Sequence, residues 1–204
     1  MKNKNFVIIG YSGHSFGCIE VAIKRGWSII GYYEIKEKNR NPYNLKYLGS
    51  EDNIDLENKV FICVGNNMLR RNIYEKLSSY NNFFFDTSLI HPNTIISSSS
   101  IIKEQTFINA GVIINPQVKI GKGCIINTGS IIEHDCSIGE FSHIAPGAVL
   151  SGNVSIGSGC MIGANSVIKQ GVKVGDNVII GAGAVVLKDV NSETTFVGNP
   201  AKQI

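Results

Sequence analysis

Two histidines, their acidic neighbours and a few glycines carry most of the chemistry this chain can offer. In Ile131-Ile132-Glu133-His134-Asp135-Cys136 a histidine stands between two acids, and a second follows in Phe141-Ser142-His143-Ile144. An imidazole takes up a proton near neutral pH, and an adjacent carboxylate, here Asp135 or Glu133, fixes its tautomer and raises its basicity. That pairing suits acyl transfer from a thioester to an amine or hydroxyl, where the acceptor must lose a proton. The other reading is that His134 fills an ordinary outward polar position. Near the N terminus, Gly10-Tyr11-Ser12-Gly13-His14 follows the apolar run Phe6-Val7-Ile8-Ile9 and precedes a helical pattern. A strand-to-helix turn of this kind presents backbone N–H groups and the positive helix end to a phosphate. It lacks the full dinucleotide-binding glycine fingerprint, and its glycines serve equally well in a tight turn that binds nothing.

Two kinds of element must position these residues. From Ile90 to Val186 an aliphatic residue falls at every sixth position without a miss. A helix repeats near 3.6 and an amphipathic strand at 2, so neither explains a sustained six. A short fixed period marks a repeat architecture whose units bury their apolar faces only by stacking on neighbours. The fourth position after each aliphatic residue is small, as at Thr94, Cys124, Ser130, Cys136, Ala148, Cys160 and Ala184, and reads as a second inward position. Cys124, Cys136 and Cys160 are then core filler, since cysteine behaves as a small hydrophobe when buried. The residue directly after the aliphatic one is often Gly or Asn, as at Asn109, Gly121, Gly139, Gly157 and Gly181, and is expected to turn a corner with positive φ. Three sides make a coil of eighteen residues, so His134 and Gly152 are expected on adjacent coils. Gly152 is then either a turn glycine or a backbone N–H open beside the histidine, able to polarise a thioester carbonyl.

Ahead of the repeat, Phe6–Ile9, Ser28–Tyr33 and Lys59–Val64 read as strands, with Phe83–Phe85 as a last short one. Helical patterns run from the glycine turn to about Gly26 and from Met68 to Tyr80, and Lys36 to Asn58 reads as loop. The alternation predicts a small parallel-sheet, Rossmann-like βαβαβ unit over residues 1–88, followed by a parallel β-helix over 89–204. Gly65-Asn66-Asn67 ends the third strand at the sheet edge where α/β proteins bind ligands.

The bulk properties exclude several classes. Net charge is +3 over 204 residues, and no basic run exceeds Arg70-Arg71, which argues against nucleic acid or a membrane surface as partner. No stretch approaches 18 uninterrupted apolar residues, so no membrane span and a cytoplasmic location are expected. The five cysteines contain no CxxC pair and are expected as free thiols.

The repeats Ile120-Gly121-Lys122-Gly123-Cys124-Ile125, Ile156-Gly157-Ser158-Gly159-Cys160-Met161 and Ile180-Gly181-Ala182-Gly183-Ala184-Val185, with the tail Val197-Gly198-Asn199-Pro200-Ala201-Lys202, resemble left-handed parallel β-helix acyltransferases of the hexapeptide-repeat type. Together with Gly10-Tyr11-Ser12-Gly13-His14, Gly65-Asn66-Asn67 with Arg70, and Gly139-Glu140-Phe141-Ser142-His143, nearly the whole chain resembles one subfamily. These are the bacterial sugar acyltransferases related to sialic acid O-acetyltransferase, including N-acetyltransferases of nucleotide-linked 4-amino-6-deoxy sugars. The resemblance implies a homotrimer with acetyl-CoA in the groove between neighbouring β-helices. It implies His134 as general base, Asp135 as its partner and His143 in the same catalytic site. Gly152, Ala164, Gly181 and Ala182 would hold the acetyl-CoA. Gly10, Ser12, Gly13, His14, Glu34, Gly65, Asn66 and Arg70 would hold the nucleotide-linked amino sugar. Members commonly carry two acids at the end of the second strand, where this chain has Glu34-Ile35. The expected reaction is N-acetylation of a UDP- or GDP-linked 4-amino sugar; the alternative is O-acetylation of a sialic acid or another sugar. The γ-type carbonic anhydrases share the prism, but after Pro92 this chain has only His134 and His143, so no metal is expected. A non-catalytic solenoid is the remaining reading.

Overall fold

A computed structural model of the chain describes residues 5–55, 59–80 and 87–204. The N-terminal unit is a parallel sheet of β1 (Asn5–Ile9), β2 (Ser28–Tyr33), β3 (Lys46–Tyr47) and β4 (Val60–Ile62), in the order β3-β2-β1-β4. Helix α1 (Gly13–Lys24) lies on one face and α2 (Asn67–Ser78) on the other. The alternation of β1 explains both layers: Phe6 and Ile8 pack with Cys18 and Ile19 of α1, while Val7 and Ile9 pack with Ile73 and Leu77 of α2. β3 falls inside the stretch expected as loop. It is two residues long, and its partners come from β2, so local patterning carries almost no trace of it. The expected strand at Phe83–Phe85 lies outside the described residues.

The repeat folds as the left-handed β-helix that its period implies. Two-residue strands stack into three parallel sheets of eight, six and five strands; the eight-stranded sheet ends in one antiparallel strand, Lys202–Gln203. The register is 18 residues from Leu89 to Val186, pairing Ile125 with His143 and Ile131 with Val149, for example, and shortens to 16 in the last coil, where Ile179 pairs with Thr195. Ile108, Ile126, Ile144 and Ile162 are 0% exposed on the axis of the coil, and such burial contributes roughly 1.5–3 kcal/mol per side chain. The second inward series is also buried from Thr106 on, and the Cys124, Cys136 and Cys160 thiols donate to the carbonyls of Gly139, Ser151 and Gly175. Burial pushes all three thiols up, Cys124 to about 12.

The corners correct one expectation. Positive φ falls not on the residue after the aliphatic position but two residues later, at Gly123, Asp135, Phe141, Asn153, Asn165 and Asn177 among others. Gly121, Gly139, Gly157, Gly163 and Gly181 do not have positive φ. They are glycines because the next coil lies against them: a Cβ on Gly139 would meet Gly157 C at 2.5 Å.

The outward position on the eight-stranded sheet decides how the two units meet. Leu89, Phe107 and Ile125 form one cross-strand row and are buried in the same cluster as Phe6, Tyr11 and Phe61. α1 is thus clamped between its own sheet and the solenoid. Gln105 completes the junction, donating to Val60 O at 2.7 Å and accepting from Ile62 N at 2.9 Å, so its amide takes the place of a strand beside the open edge of β4.

Candidate active site

The row that begins Leu89, Phe107, Ile125 continues as His143, Met161, Ile179. Where the N-terminal unit ends, this row opens into a cavity of about 520 Å³ lined by Gly65, Asn66, Asn67, Arg71, His143, Gly159 and Met161, among others. Burial, reinforced by the positive charge of Arg70 and by His14, holds the His143 imidazole down at about 3, so it is neutral at physiological pH. A second cavity of about 400 Å³ sits at the carboxyl ends of the N-terminal strands and includes Gly10, Ser12, His14, Glu34, Ile35, Gly65 and Asn66. Gly65 and Asn66 border both cavities, so the two form neighbouring compartments of one cleft.

Within that cleft the two glycines of the turn have different reasons to be glycine. Gly10 has φ of +90°, and a Cβ there would strike Val64 Cγ2 at 2.9 Å, so the fold demands it. A Cβ on Gly13 meets nothing within 4 Å, and its backbone is ordinary helix. Ser12 and His14 on either side of it line the second cavity, at the helix N terminus whose N–H groups attract an anion. Ser15 closes the helix start, accepting from Ser12 N at 2.8 Å and donating to Ser12 O at 2.6 Å. Glu34 Oε2 accepts from Tyr11 N at 3.1 Å and pairs with Lys38 at 3.2 Å. The His14 ring stands edge-on to Phe107 at 5.3 Å.

Arg70 departs from expectation. It is 2% exposed. Its Nε donates to Gly123 O at 2.6 Å, one terminal nitrogen to Val64 O and Gly65 O, and the other to Asn67 Oδ1 and Phe141 O. Those bonds engage all five N–H donors of a guanidinium, so none is left for a substrate. Arg70 ties α2 and the end of β4 to two solenoid corners instead. Asn67, which the site assignment from sequence omits, reinforces the tie by donating to Gly159 O and Cys160 O. Arg71 is the basic residue that lines the cavity, with its guanidinium 5.4 Å from the Phe141 ring centroid. Only the burial of one face of α2 separates the two arginines, and adjacent identical residues hide that in sequence.

His134 occupies a different edge. Its Nδ1 is 2.8 Å from Asp135 Oδ2, and both side chains are more than half exposed. Asp135 is the positive-φ residue of this corner, at 60°, and the corner turns its carboxylate back onto the preceding histidine. Gly152 lies one coil along, where a Cβ would stand 2.6 Å from His134 Nε2. No acceptor for the Gly152 N–H occurs among the described residues, while Asn153 N bonds to His134 O at 2.8 Å. Gly152 is thus not a positive-φ turn glycine; the histidine ring covers its Cα and the backbone N–H stays unbonded.

One chain does not bring the expected residues together. His134, Asp135 and Gly152 lie on the edge between the six- and five-stranded sheets, because Ile131–Ile132 and Ser137–Ile138 flank them. His143 is on the eight-stranded sheet, the face opposite that edge. The separation is roughly 15 Å for a triangular coil with six near-extended residues per side. Ala164, Gly181 and Ala182 fall on a third location, the edge between the eight- and six-stranded sheets.

A left-handed β-helix of hexapeptide repeats with a carboxylate-paired histidine on one edge, joined to an α/β unit with an anion-ready turn, defines an acyltransferase. Residues 99–134, 117–152 and 153–188 match the bacterial transferase hexapeptide (six repeats) family, and residues 5–77 match the PglD N-terminal domain. The acetyltransferase domain of PglB from Neisseria gonorrhoeae FA1090, solved in complex with acetyl coenzyme A, is 32% identical, with 99% of this chain and 100% of that chain covered and a TM-score of 0.91. PerB from Caulobacter crescentus, in complex with CoA and GDP-perosamine, is 29% identical over 100% of this chain and 98% of that chain, with a TM-score of 0.88. WeeI from Acinetobacter baumannii AYE is 25% identical over 98% and 100%, also at 0.88. The chain belongs to the left-handed β-helix family of nucleotide-sugar N-acetyltransferases. Among the described residues no helix is long and apolar enough to cross a membrane.

Proposed function

We propose that the protein transfers an acetyl group from acetyl-CoA to the 4-amino group of a UDP- or GDP-linked deoxy amino sugar, in a homotrimer whose sites lie between subunits. The observation that carries this reading is the His134 corner: an imidazole oriented by Asp135, packed on a glycine whose N–H is unbonded. As the amine attacks the thioester carbonyl, His134 Nε2 takes its proton, with Asp135 holding the tautomer that leaves Nε2 free to accept; the C–S bond then breaks and CoA leaves as the thiol, taking up that proton. The Gly152 N–H donates to the acetyl carbonyl oxygen as negative charge develops on it. The diphosphate of the acceptor rests on the open first turn of α1 beside Gly13, its nucleoside reaches toward Glu34, and its sugar extends past Gly65 and Asn66 toward His143.

The separation of the two histidines favours the trimer. A heterologous ring sets one surface of each copy against a different surface of the next. The His134 edge of one subunit would then meet the His143 face of its neighbour. The six-stranded sheet beside that edge carries an outward row of Ile95, Ile113, Ile131, Val149, Val167 and Val185, none of which is fully buried in the single chain. A continuous apolar row of this kind marks a packing surface. A thiol-release assay with acetyl-CoA tests the reading against UDP- and GDP-linked 4-amino sugars and free sialic acid. Release with a nucleotide-linked amino sugar is expected; release with free sialic acid alone contradicts it.

A further inference from the structure

We infer that two asparagines lock His143 as the neutral Nδ1–H tautomer, so that it donates a hydrogen bond into the cavity and does not accept a proton there. The role of that donor rests on the function proposed above, whereas the tautomer itself does not.

Two backbone N–H groups, which can only donate, orient the two asparagines. Ala110 N donates to Asn109 Oδ1 and Thr128 N to Asn127 Oδ1, each at 2.8 Å. Both carboxamides are therefore oriented without ambiguity between oxygen and nitrogen. Asn109 Nδ2 then donates to Asn127 Oδ1 at 3.2 Å and Thr128 Oγ1 at 2.9 Å. What Asn127 presents to the next coil is its NH₂ group, 3.2 Å from His143 Nε2. An amide nitrogen offers only hydrogens, so Nε2 must accept, and the ring proton of the neutral imidazole resides on Nδ1.

Nδ1 has no partner among the described residues, and among those same residues the only buried side-chain nitrogen or oxygen without one is Ser130 Oγ. Nδ1 is therefore not sealed in the protein, and the space beside His143 is the cavity of about 520 Å³. The groups that act on the ring from other elements are Arg70 and His14, which oppose its protonation in concert with burial. The ring thus offers a fixed, uncharged donor suited to an acceptor oxygen of the amino sugar or its diphosphate. It leaves proton removal to His134. Asn127 is a positioning residue that acts through His143, and Asn109 holds Asn127.

Ring-nitrogen NMR on protein labelled with ¹⁵N-histidine tests the tautomer without any substrate. There are four histidines, and a His143→Asn spectrum assigns the signal. The expected result is a protonated Nδ1 and bare Nε2, unchanged between pH 8 and pH 5. An Nε2–H tautomer, a tautomer average or an imidazolium at pH 6 overturns the inference. Asn127→Asp presents an acceptor to Nε2 and is expected to move the proton there; a signal that stays on Nδ1 contradicts the positioning role. In the acetylation assay, Asn at 143 keeps a donor near the Nδ1 position while Gln mimics Nε2. His143→Asn is expected within about threefold of the parent in kcat/KM for the acceptor, and His143→Gln to lose about tenfold, the scale of one hydrogen bond. The reverse order overturns the donor role. Absence of turnover with every acceptor in the parent protein counts against the proposed function and leaves the NMR result to decide the tautomer.

Discussion

His134 and Gly152 share one space on adjacent coils: a Cβ at position 152 would stand 2.6 Å from the histidine Nε2 and 2.7 Å from its Cε1. With Asp135 at 2.8 Å on the other ring nitrogen, the imidazole is fixed from two sides. Gly152→Ala should therefore displace the ring while the coils stay stacked. The expected result is a fall in kcat of about tenfold to a hundredfold, the scale of a misplaced catalytic group, with an unchanged far-ultraviolet circular dichroism spectrum. An alanine variant as fast as the parent means the ring position does not matter.

Removing the proposed base has a larger expected effect. His134→Ala should lower turnover by about 10²–10⁴-fold, the range for general base catalysis, while sedimentation shows the same assembly as the parent. Asp135→Asn keeps the corner and removes the charge, so its kcat should fall less than that of His134→Ala. An Asp135→Asn variant slower than His134→Ala would place the chemistry on the carboxylate instead.

Arg70 should behave as a structural residue. Arg70→Met strips partners from the buried carbonyls of Gly123 and Phe141 and unties α2 from the solenoid. A loss of about 3–5 kcal/mol is expected, as for other broken buried polar networks, visible as a fall in Tm of about 10 °C. KM for the acceptor, measured well below that transition, should move less than for Arg71→Met, because Arg71 lines the cavity. A large KM effect at Arg70 with no loss of Tm would return it to the substrate site.

The buried neutral His143 also makes stability depend on pH. Its imidazole titrates at about 3 in the folded protein, against an ordinary value of 6.5. Between those values the unfolded chain binds a proton that the native state does not, so stability falls as pH drops from 6.5 toward 3, by up to about 1.4 kcal/mol per unit. Above 6.5 both states are neutral at this position and the contribution is constant. Urea unfolding midpoints at pH 7, 6 and 5 should decline more steeply for the parent than for His143→Asn. Equal slopes mean that His143 is solvated in the native state.

The solenoid was legible because its signal is one-dimensional: each of the aliphatic residues from Ile90 to Val186 states its own inward direction. The 18-residue adjacency of His134 and Gly152 follows from the same arithmetic. What the period hides is anything set by neighbours in space. Glycine at 139 answers to the backbone of Gly157 rather than to its own φ, and Arg70 differs from Arg71 only by the side of α2 it occupies. The row Leu89, Phe107, Ile125, His143, Met161, Ile179 was present in the sequence at a spacing of 18, and reading it would have revealed the docking face and its exit into the cavity. The Asn109–Asn127–His143 ladder needs three successive coils and the hydrogen-bond directions between them, which no spacing supplies.

In the proposed trimer His134 of one copy works with the His143 face of another. Subunit mixing tests it directly: His134→Ala and His143→Ala, each with low activity alone, are unfolded together, refolded and assayed. A ring with intersubunit sites regains about a quarter of its sites in an equal random mixture, since each site needs an intact His134 from one neighbour and an intact His143 from the other. Recovery toward that level is the predicted result, whereas a mixture no more active than the average of its two parents contradicts the account.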